Sequence, residues 1–242
     1  MANVITVDFG KHNADLEATA ARLTREGQWK KQRVVHVIPS ASQLPAKVYV
    51  SHRSLVSPPN QPYIPLLIEN AEVGAAYEAA LDVILGNPQL KEFEYLLTIE
   101  HDNIPPPTGL LKLIEHMEAH PEFAAISGLY YTKGEGGVAQ IWGDIKDMMI
   151  NFRPQPPVPG QIVECWGLGM GFCLFRMSMF RELAEKKVPR PWFKTNTGID
   201  GRGIGTQDLY FWQHVGRANG YRCAVACDVP VGHLDVNTGI VW

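Results

Sequence analysis

The sequence predicts an α/β fold: a single domain with a mostly parallel central sheet flanked by helices. Three observations carry that expectation. Short apolar runs alternate with amphipathic helical stretches, the pattern of strand–helix–strand units whose crossovers produce parallel sheets. No linker-like segment divides the 242 residues, a length that one sizeable domain accommodates. The apolar run Tyr95-Leu96-Leu97-Thr98-Ile99 breaks off into Glu100-His101-Asp102-Asn103-Ile104 and three prolines, which reads as a strand ending at a sheet edge where ligands bind.

Taken in order, Val4-Ile5-Thr6-Val7 is strand-like and precedes an amphipathic helix from about Asn13 to Gly27, with Leu16, Ala20 and Leu23 on one face. Val34–Ile38 is a second strand ended by Pro39. Residues 44–56 form a helix closed by Ser57-Pro58-Pro59-Asn60. The strand at Ile64–Ile68 contains Pro65, which cannot donate to a ladder and so marks a short or edge strand. A helix over Glu72–Leu85 turns Val73, Ala76, Ala80 and Ile84 inward and stops at Gly86-Asn87-Pro88. After the acidic strand, Thr108 is the expected cap of a helix carrying Leu110, Leu111, Ile114 and Met117, terminated by Pro121. Ala124–Tyr131 is a strand and residues 133–137 a glycine-rich loop. Residues 154–160 are an extended, proline-rich surface connection.

Composition narrows the function classes. Hydrophobic residues at 45% and charged residues at 19% suit an ordinary globular chain with ample core material. A formal net charge of −3 supplies no electrostatic footprint for nucleic acid. No 18-residue apolar run or basic-then-apolar start is present, so the expected address is the cytoplasm, without a membrane span. Cys223 and Cys227, with His214 and His233 nearby, have zinc-like spacing. Their strand-like surroundings favour buried thiols instead, as do those of Cys165 and Cys173. Gly134-Glu135-Gly136-Gly137 is no Walker loop. Gly167-Leu168-Gly169-Met170-Gly171 is followed by the strand-like Phe172-Cys173-Leu174-Phe175, where a dinucleotide fingerprint needs a helix.

The chemistry concentrates in three segments. On an extended strand, Glu100 and Asp102 would share one face and His101 the other. Adjacent hard oxygen donors suit Mg²⁺ or Mn²⁺ carrying substrate phosphates. Gly205-Thr206-Gln207-Asp208-Leu209-Tyr210-Phe211 opens a helix that Thr206 is expected to cap and that runs to Asn219 and Gly220. A carboxylate in its first turn is favoured by the helix dipole, and the same position serves a general base. Val231-Gly232-His233-Leu234-Asp235 follows an apolar strand, where an imidazole can complete an ion's shell; Asp235 is a weaker alternative.

Together these segments, with Glu164–Arg176 between them, resemble the GT-A glycosyltransferases of the family 2 type over about Val34 to Asp235. Glu100-His101-Asp102 is similar to the D-x-D element, Gln207-Asp208 to the E-D or Q-D element, and His233 to the late metal-binding histidine. The compact form also resembles glycosyltransferase-like proteins of phage genomes.

The resemblance implies a metal-dependent transfer of sugar from a nucleoside-diphosphate donor to a glycan or other hydroxyl-bearing acceptor. Asp102, His233 and Glu100 would serve the Mn²⁺ or Mg²⁺ ion. Pro39, Ser40, Glu100 and Asp102 would bind the donor, with Glu100 directed to its hydroxyls. Asp208, beside Gln207, would be the base, and Gly169 and Gly171 would shape the acceptor side; Trp166 and Trp192 offer apolar ring faces for an acceptor sugar, a role that core packing explains equally well. Two registers remain: the first sheet strand is either Val4–Phe9 or Val34–Ile38. The second makes residues 1–30 an extension and is favoured, because it ends on the Pro39-Ser40 that resembles the family's opening.

The chain departs from the family by opening the acidic pair with Glu. It lacks an aspartate after Pro39-Ser40 and a basic residue within Gly74-Ala75-Ala76-Tyr77-Glu78. Two other readings stand beside the transferase: a nucleotidyltransferase, and a non-catalytic nucleotide or sugar-binding module of the same fold.

Overall fold

The computed structural model describes residues 33–58, 64–197 and 203–242, together with two helical positions at Ala18 and Ala21. The expected strand at Val4–Val7, the remainder of the Asn13–Gly27 helix and the expected helix stop at Pro59-Asn60 lie outside the described residues. Eight strands form the central sheet: β1 (Val34–Ser40), β2 (Pro65–Glu69), β3 (Tyr95–Ile99), β5 (Phe123–Leu129), β6 (Ile141–Asp144), β7 (Ile162–Leu168), β8 (Phe172–Arg176) and β11 (Arg222–Pro230). Their order is β2-β1-β3-β8-β5-β11-β7-β6. β7 and β8 run against the other strands, so the sheet is mostly parallel, as expected, with two reversals in its second half.

β1 lies between β2 and β3, so the Val34 strand is interior to the described sheet. Pro65 heads the outermost strand β2, where its missing N–H removes no ladder bond. Alternation along each strand feeds two cores. Val35, Val37, Leu96 and Phe175 face one side with α2 (Val73–Gly86) and α4 (Met177–Glu185); Val34, Leu97, Ile99 and Leu174 face the other with α3 (Gly109–Ala119). On α3, Leu110, Leu111, Leu113, Ile114 and Met117 are completely buried, the stripe that a 3.6-residue period requires. α1 (Ala46–Ser54) is shorter than expected and begins after Pro45, whose carbonyl accepts from Tyr49 N–H.

Helix starts differ from the sequence expectation in one physical respect. Glu72 caps α2 by accepting from Ala75 N–H at 3.1 Å. Thr108 and Thr206 precede their helices, but neither side chain caps a backbone N–H. Thr108 is already helical in backbone angles, and the Thr206 hydroxyl is taken by Asp208.

Two antiparallel pairs stand off the main sheet: β9 (Asn196–Thr197) with β10 (Gly203–Gly205), and β4 (Asn103–Ile104) with β12 (Gly232–His233). The C-terminal segment folds back so that His233 and Trp242 exchange two backbone hydrogen bonds of 3.0 Å. The helical stretch after Thr206 runs as α5 (Gln207–Phe211), a π turn over Trp212–Gly216 and a 3-10 turn to Asn219, with Gly220 left-handed.

Phe211 anchors α5 in an aromatic cluster, stacking on Phe193 at 4.7 Å and meeting Trp212, Phe175 and Phe180 edge-on or tilted. Truncating such a fully buried ring removes its transfer free energy and leaves a cavity. Phe211→Ala should therefore lower stability by about 3–5 kcal/mol, read as a drop in the urea midpoint; an unchanged midpoint would mean the cluster does not hold this helix.

Candidate active site

The acidic segment is not an extension of the strand. β3 ends at Ile99, and residues 100–103 form a turn closed by Asn103 N–H to the Glu100 carbonyl at 3.1 Å. Neighbouring backbone fixes this turn: Glu100 N–H donates to Gly171 O at 3.0 Å and Leu234 N–H to Asp102 O at 2.7 Å. The His52 ring donates through Nε2 to Asn103 O at 3.1 Å. Pleat alternation therefore does not apply, and His101, expected to point away, lines the cleft beside Glu100 and Asp102. That cleft, about 440 Å³, sits at the carboxyl ends of β1 and β3 and is also lined by Pro39, Ser40, Ala41, Asn70, Ala71, Val73 and Gln207.

The β4–β12 pair carries His233 to Asp102, with Nε2 3.6 Å from Oδ2. His233 Nδ1 lies 2.7 Å from the Tyr131 carbonyl, which can only accept, so Nδ1 holds a proton. Nε2 is therefore the ring atom turned to Asp102: in the imidazolium it donates to the carboxylate, and in the neutral ring it offers a lone pair that a cation could take. Asp102 Oδ1 is buried without a hydrogen-bond partner. Asp102 Oδ2 accepts from the Lys133 ammonium at 2.5 Å. Burial alone would raise the Asp102 carboxyl; His233 and the Lys133 ammonium outweigh it and hold the group well below the usual carboxylate range.

Glu100 belongs to a different set of contacts. Its Oε1 accepts from Tyr77 O–H at 2.9 Å and from Gln207 Nε2 at 3.4 Å. Burial, then the negative charges of Asp102 and Asp208, push its carboxyl up to about 8. Asp208 is 8% exposed, and burial raises its carboxyl too, against the opposing hydrogen bonds from Thr206 O–H and Leu209 N–H. Both of those bonds fall on Oδ1, the second at 2.8 Å.

Of the expected site residues, Pro39, Ser40, Glu100, Asp102 and Gln207 meet at the cleft, with His233 and Asp208 adjoining it through Asp102 and Glu100. Among the described residues, no group of three or more His, Cys, Asp and Glu side chains is gathered to hold a metal ion. Asp102 and His233 fit as a pair of protein donors, with the rest of a shell left to phosphate and water.

The expected acceptor residues are placed otherwise. Trp192 is 1% exposed, stacked on Phe180 and donating to Val188 O at 3.1 Å, so it is core and not a sugar platform. Gly169 and Gly171 are small for internal reasons: a Cβ would strike the Tyr130 hydroxyl at the first and the Asn103 amide at the second. Trp166 has the Arg217 guanidinium 5.0 Å over its ring and does not line the cleft. All four cysteines are buried free thiols.

Sequence reasoning missed Tyr77 and Lys133. Tyr77 shares the inward stripe of its helix with Val73 and Ala80, which is its only signal. Nothing local in a glycine-rich loop indicates that Lys133 reaches Asp102.

Comparison with known proteins shows the fold. No family model and no curated protein matches the chain. The crystal structure of A197 from STIV is similar over 84% of this chain and 86% of its own length, with a TM-score of 0.57 at 17% identity. Apo-UDP-glucose pyrophosphorylase aligns over 89% of this chain and 81% of its own at TM-score 0.42 and 12% identity. S. aureus TarS 1-349 in complex with UDP-GlcNAc aligns over 82% of this chain and 58% of its own at 0.49 and 11%. The A197 likeness shows a common α/β architecture and, at that identity, the architecture alone. Among the described residues no helix is long and apolar enough to cross a membrane.

Glu100 gives a pH dependence whose sign follows from its environment. Its folded carboxyl titrates near 8 against 4.5 for the unperturbed group, so between those values the folded state binds more protons than the unfolded one. Stability contributed at this site should fall as pH rises through that window. Glu100→Gln should flatten the pH dependence of the urea midpoint between about pH 5 and pH 8; an identical slope in both proteins would remove Glu100 as its source.

Proposed function

We propose that this protein is a glycosyltransferase of GT-A type that moves a sugar from a nucleoside diphosphate to an acceptor hydroxyl. The observation carrying the reading is that Asp102, approached by His233, lines a cleft whose other walls include Pro39, Ser40, Glu100 and Gln207. A cleft at the carboxyl ends of parallel strands is where this class of sheet binds nucleotides.

In this reading Pro39 and Ser40 bound the nucleoside side of the cleft, and Asp102 with His233 Nε2 would hold a divalent cation, which would supply positive charge to the departing diphosphate. Glu100, fixed by Tyr77 and Gln207, accepts or donates hydrogen bonds to the donor sugar according to its protonation. Asp208 takes the proton from the acceptor hydroxyl as that oxygen attacks the anomeric carbon and the bond to the diphosphate oxygen breaks. Burial that raises its carboxyl makes it a better proton acceptor than an exposed aspartate. The aromatic cluster beneath α5 fixes where that carboxylate points.

Incubation with a panel of nucleotide sugars and Mn²⁺ should release nucleoside diphosphate from at least one of them. Binding without any turnover would instead favour a non-catalytic nucleotide or sugar module. Asp102→Asn should abolish Mn²⁺-dependent donor binding, and an unaltered Mn²⁺ titration in that variant would dismiss the ion assignment. Asp208→Asn should leave donor affinity near wild type while lowering the transfer rate by roughly 10²–10⁴, the usual worth of a positioned base; full activity would reduce Asp208 to a helix-end residue.

A further inference from the structure

The cleft contains no lysine or arginine among its lining residues, while the ionised Asp102 carboxylate lines it. A diphosphate carries charge of the same sign, so its entry requires a cation. The cation that the fold delivers there is Lys133. Its ammonium sits 2.5 Å from Asp102 Oδ2, the oxygen that also faces His233 Nε2.

Lys133 arrives on a tight reversal after β5. Thr132 N–H donates to Val138 O at 2.9 Å, and Val138 N–H returns to Thr132 Oγ1 at 2.9 Å. Gly137 N–H donates to Gly134 O at 3.1 Å, and Gly134 and Gly136 take the left-handed backbone angles that other residues resist. Two residues upstream, the Tyr131 carbonyl orients the His233 ring. One short segment thus aims the imidazole and supplies a positive charge to the carboxylate beside it.

We propose that Lys133 is a tethered cation with two alternative partners: Asp102 when the cleft is empty, and the diphosphate of the donor when it is filled. This rests on the nucleotide-sugar reading above and adds a residue to it. Lys133 and a divalent ion cannot both occupy the Asp102 Oδ2 position at contact distance, so each excludes the other there. With that position taken by an ion, the Lys133 ammonium would be free to turn on its flexible stem toward a phosphate oxygen of the donor. Lys133 thereby raises the affinity for the anionic donor and lowers the affinity for the metal alone.

The test uses the full chain and the Lys133→Met variant, which keeps the length of the stem and removes the charge. Lys133→Arg serves as the charge-preserving control. Mn²⁺ alone is titrated by electron paramagnetic resonance of the free ion. UDP is titrated by calorimetry once in EDTA and once with saturating Mn²⁺.

Lys133→Met should bind Mn²⁺ alone roughly tenfold more tightly and UDP in EDTA roughly tenfold more weakly, the scale of one charge-assisted hydrogen bond. Lys133→Arg should return UDP affinity toward wild type. An unchanged Mn²⁺ affinity or an unchanged UDP affinity in Lys133→Met overturns the assignment. If Lys133→Met matches wild type in both titrations while both proteins still turn over donor, only the lysine's role is lost. If neither protein binds UDP with Mn²⁺ or in EDTA, the nucleotide-sugar reading falls with it.

Discussion

The two-residue ladder between β4 and β12 is the constraint on which the candidate site depends. Asp102 immediately precedes one strand of it and His233 ends the other, so residues far apart in the chain become neighbours through backbone pairing. The ladder leaves little room for variation. A Cβ on Gly232 would press into Val241, and one on Gly171 would strike the buried Asn103 amide. Backbone bonds from Leu234 to Asp102 and from His233 to Trp242 extend the same surface on either side. Backbone hydrogen bonds fix position without fixing side-chain identity, so the fold sets the distance between the two functional groups while their chemistry remains free to be selected.

Electrostatics then separates three carboxyl groups that share one region. Desolvation raises all three; what distinguishes Asp102 is an ammonium and an imidazole, which lower it, whereas Glu100 has a tyrosine hydroxyl and a glutamine amide and Asp208 has a threonine hydroxyl and a backbone N–H. Neutral donors stabilise a carboxylate less than a cation does, so burial wins for Glu100 and Asp208 and loses for Asp102. Environments that drive like groups apart in this way assign them different tasks. The negative charge is held at Asp102, and the two carboxyls with raised proton affinity lie behind it.

Much of this was legible in the chain, and the boundary of legibility is physical. Periodicity located α2 and α3 because their buried stripes are local patterns, and Pro65 marked the sheet edge because its missing donor has only one comfortable place. The end of β3 was visible because apolar residues stop abruptly. What followed was not: whether Glu100-His101-Asp102 continues the pleat or turns is decided by Gly171 O and the Leu234 N–H, which are remote in sequence. The same holds for Trp192. Stacking on a sugar and stacking on Phe180 require the same residue type, and only tertiary packing separates them. Lys133 was silent because its role comes from where a loop lands. The reversal of β7 and β8 likewise depends on strand order, which composition does not encode.

The helical stretch that begins at Gln207 shows how a short element can hold a candidate base in place. Five residues of α-helix have little stability of their own, since nucleation is costly and few hydrogen bonds follow. Here the π turn over Trp212–Gly216 adds a residue to the winding, and both Phe211 and Trp212 are completely buried. Successive residues on a regular helix are set about 100° apart, so burying two neighbouring large rings requires the surrounding layer to wrap the helix widely. Phe175 does this by meeting Phe211 edge-on and Trp212 face-on. Gly216 lies against the Trp212 ring, where a Cβ would collide. The rigidity at Asp208 is therefore imported from the aromatic core, and the position of the candidate base is set by packing on the far side of its own helix.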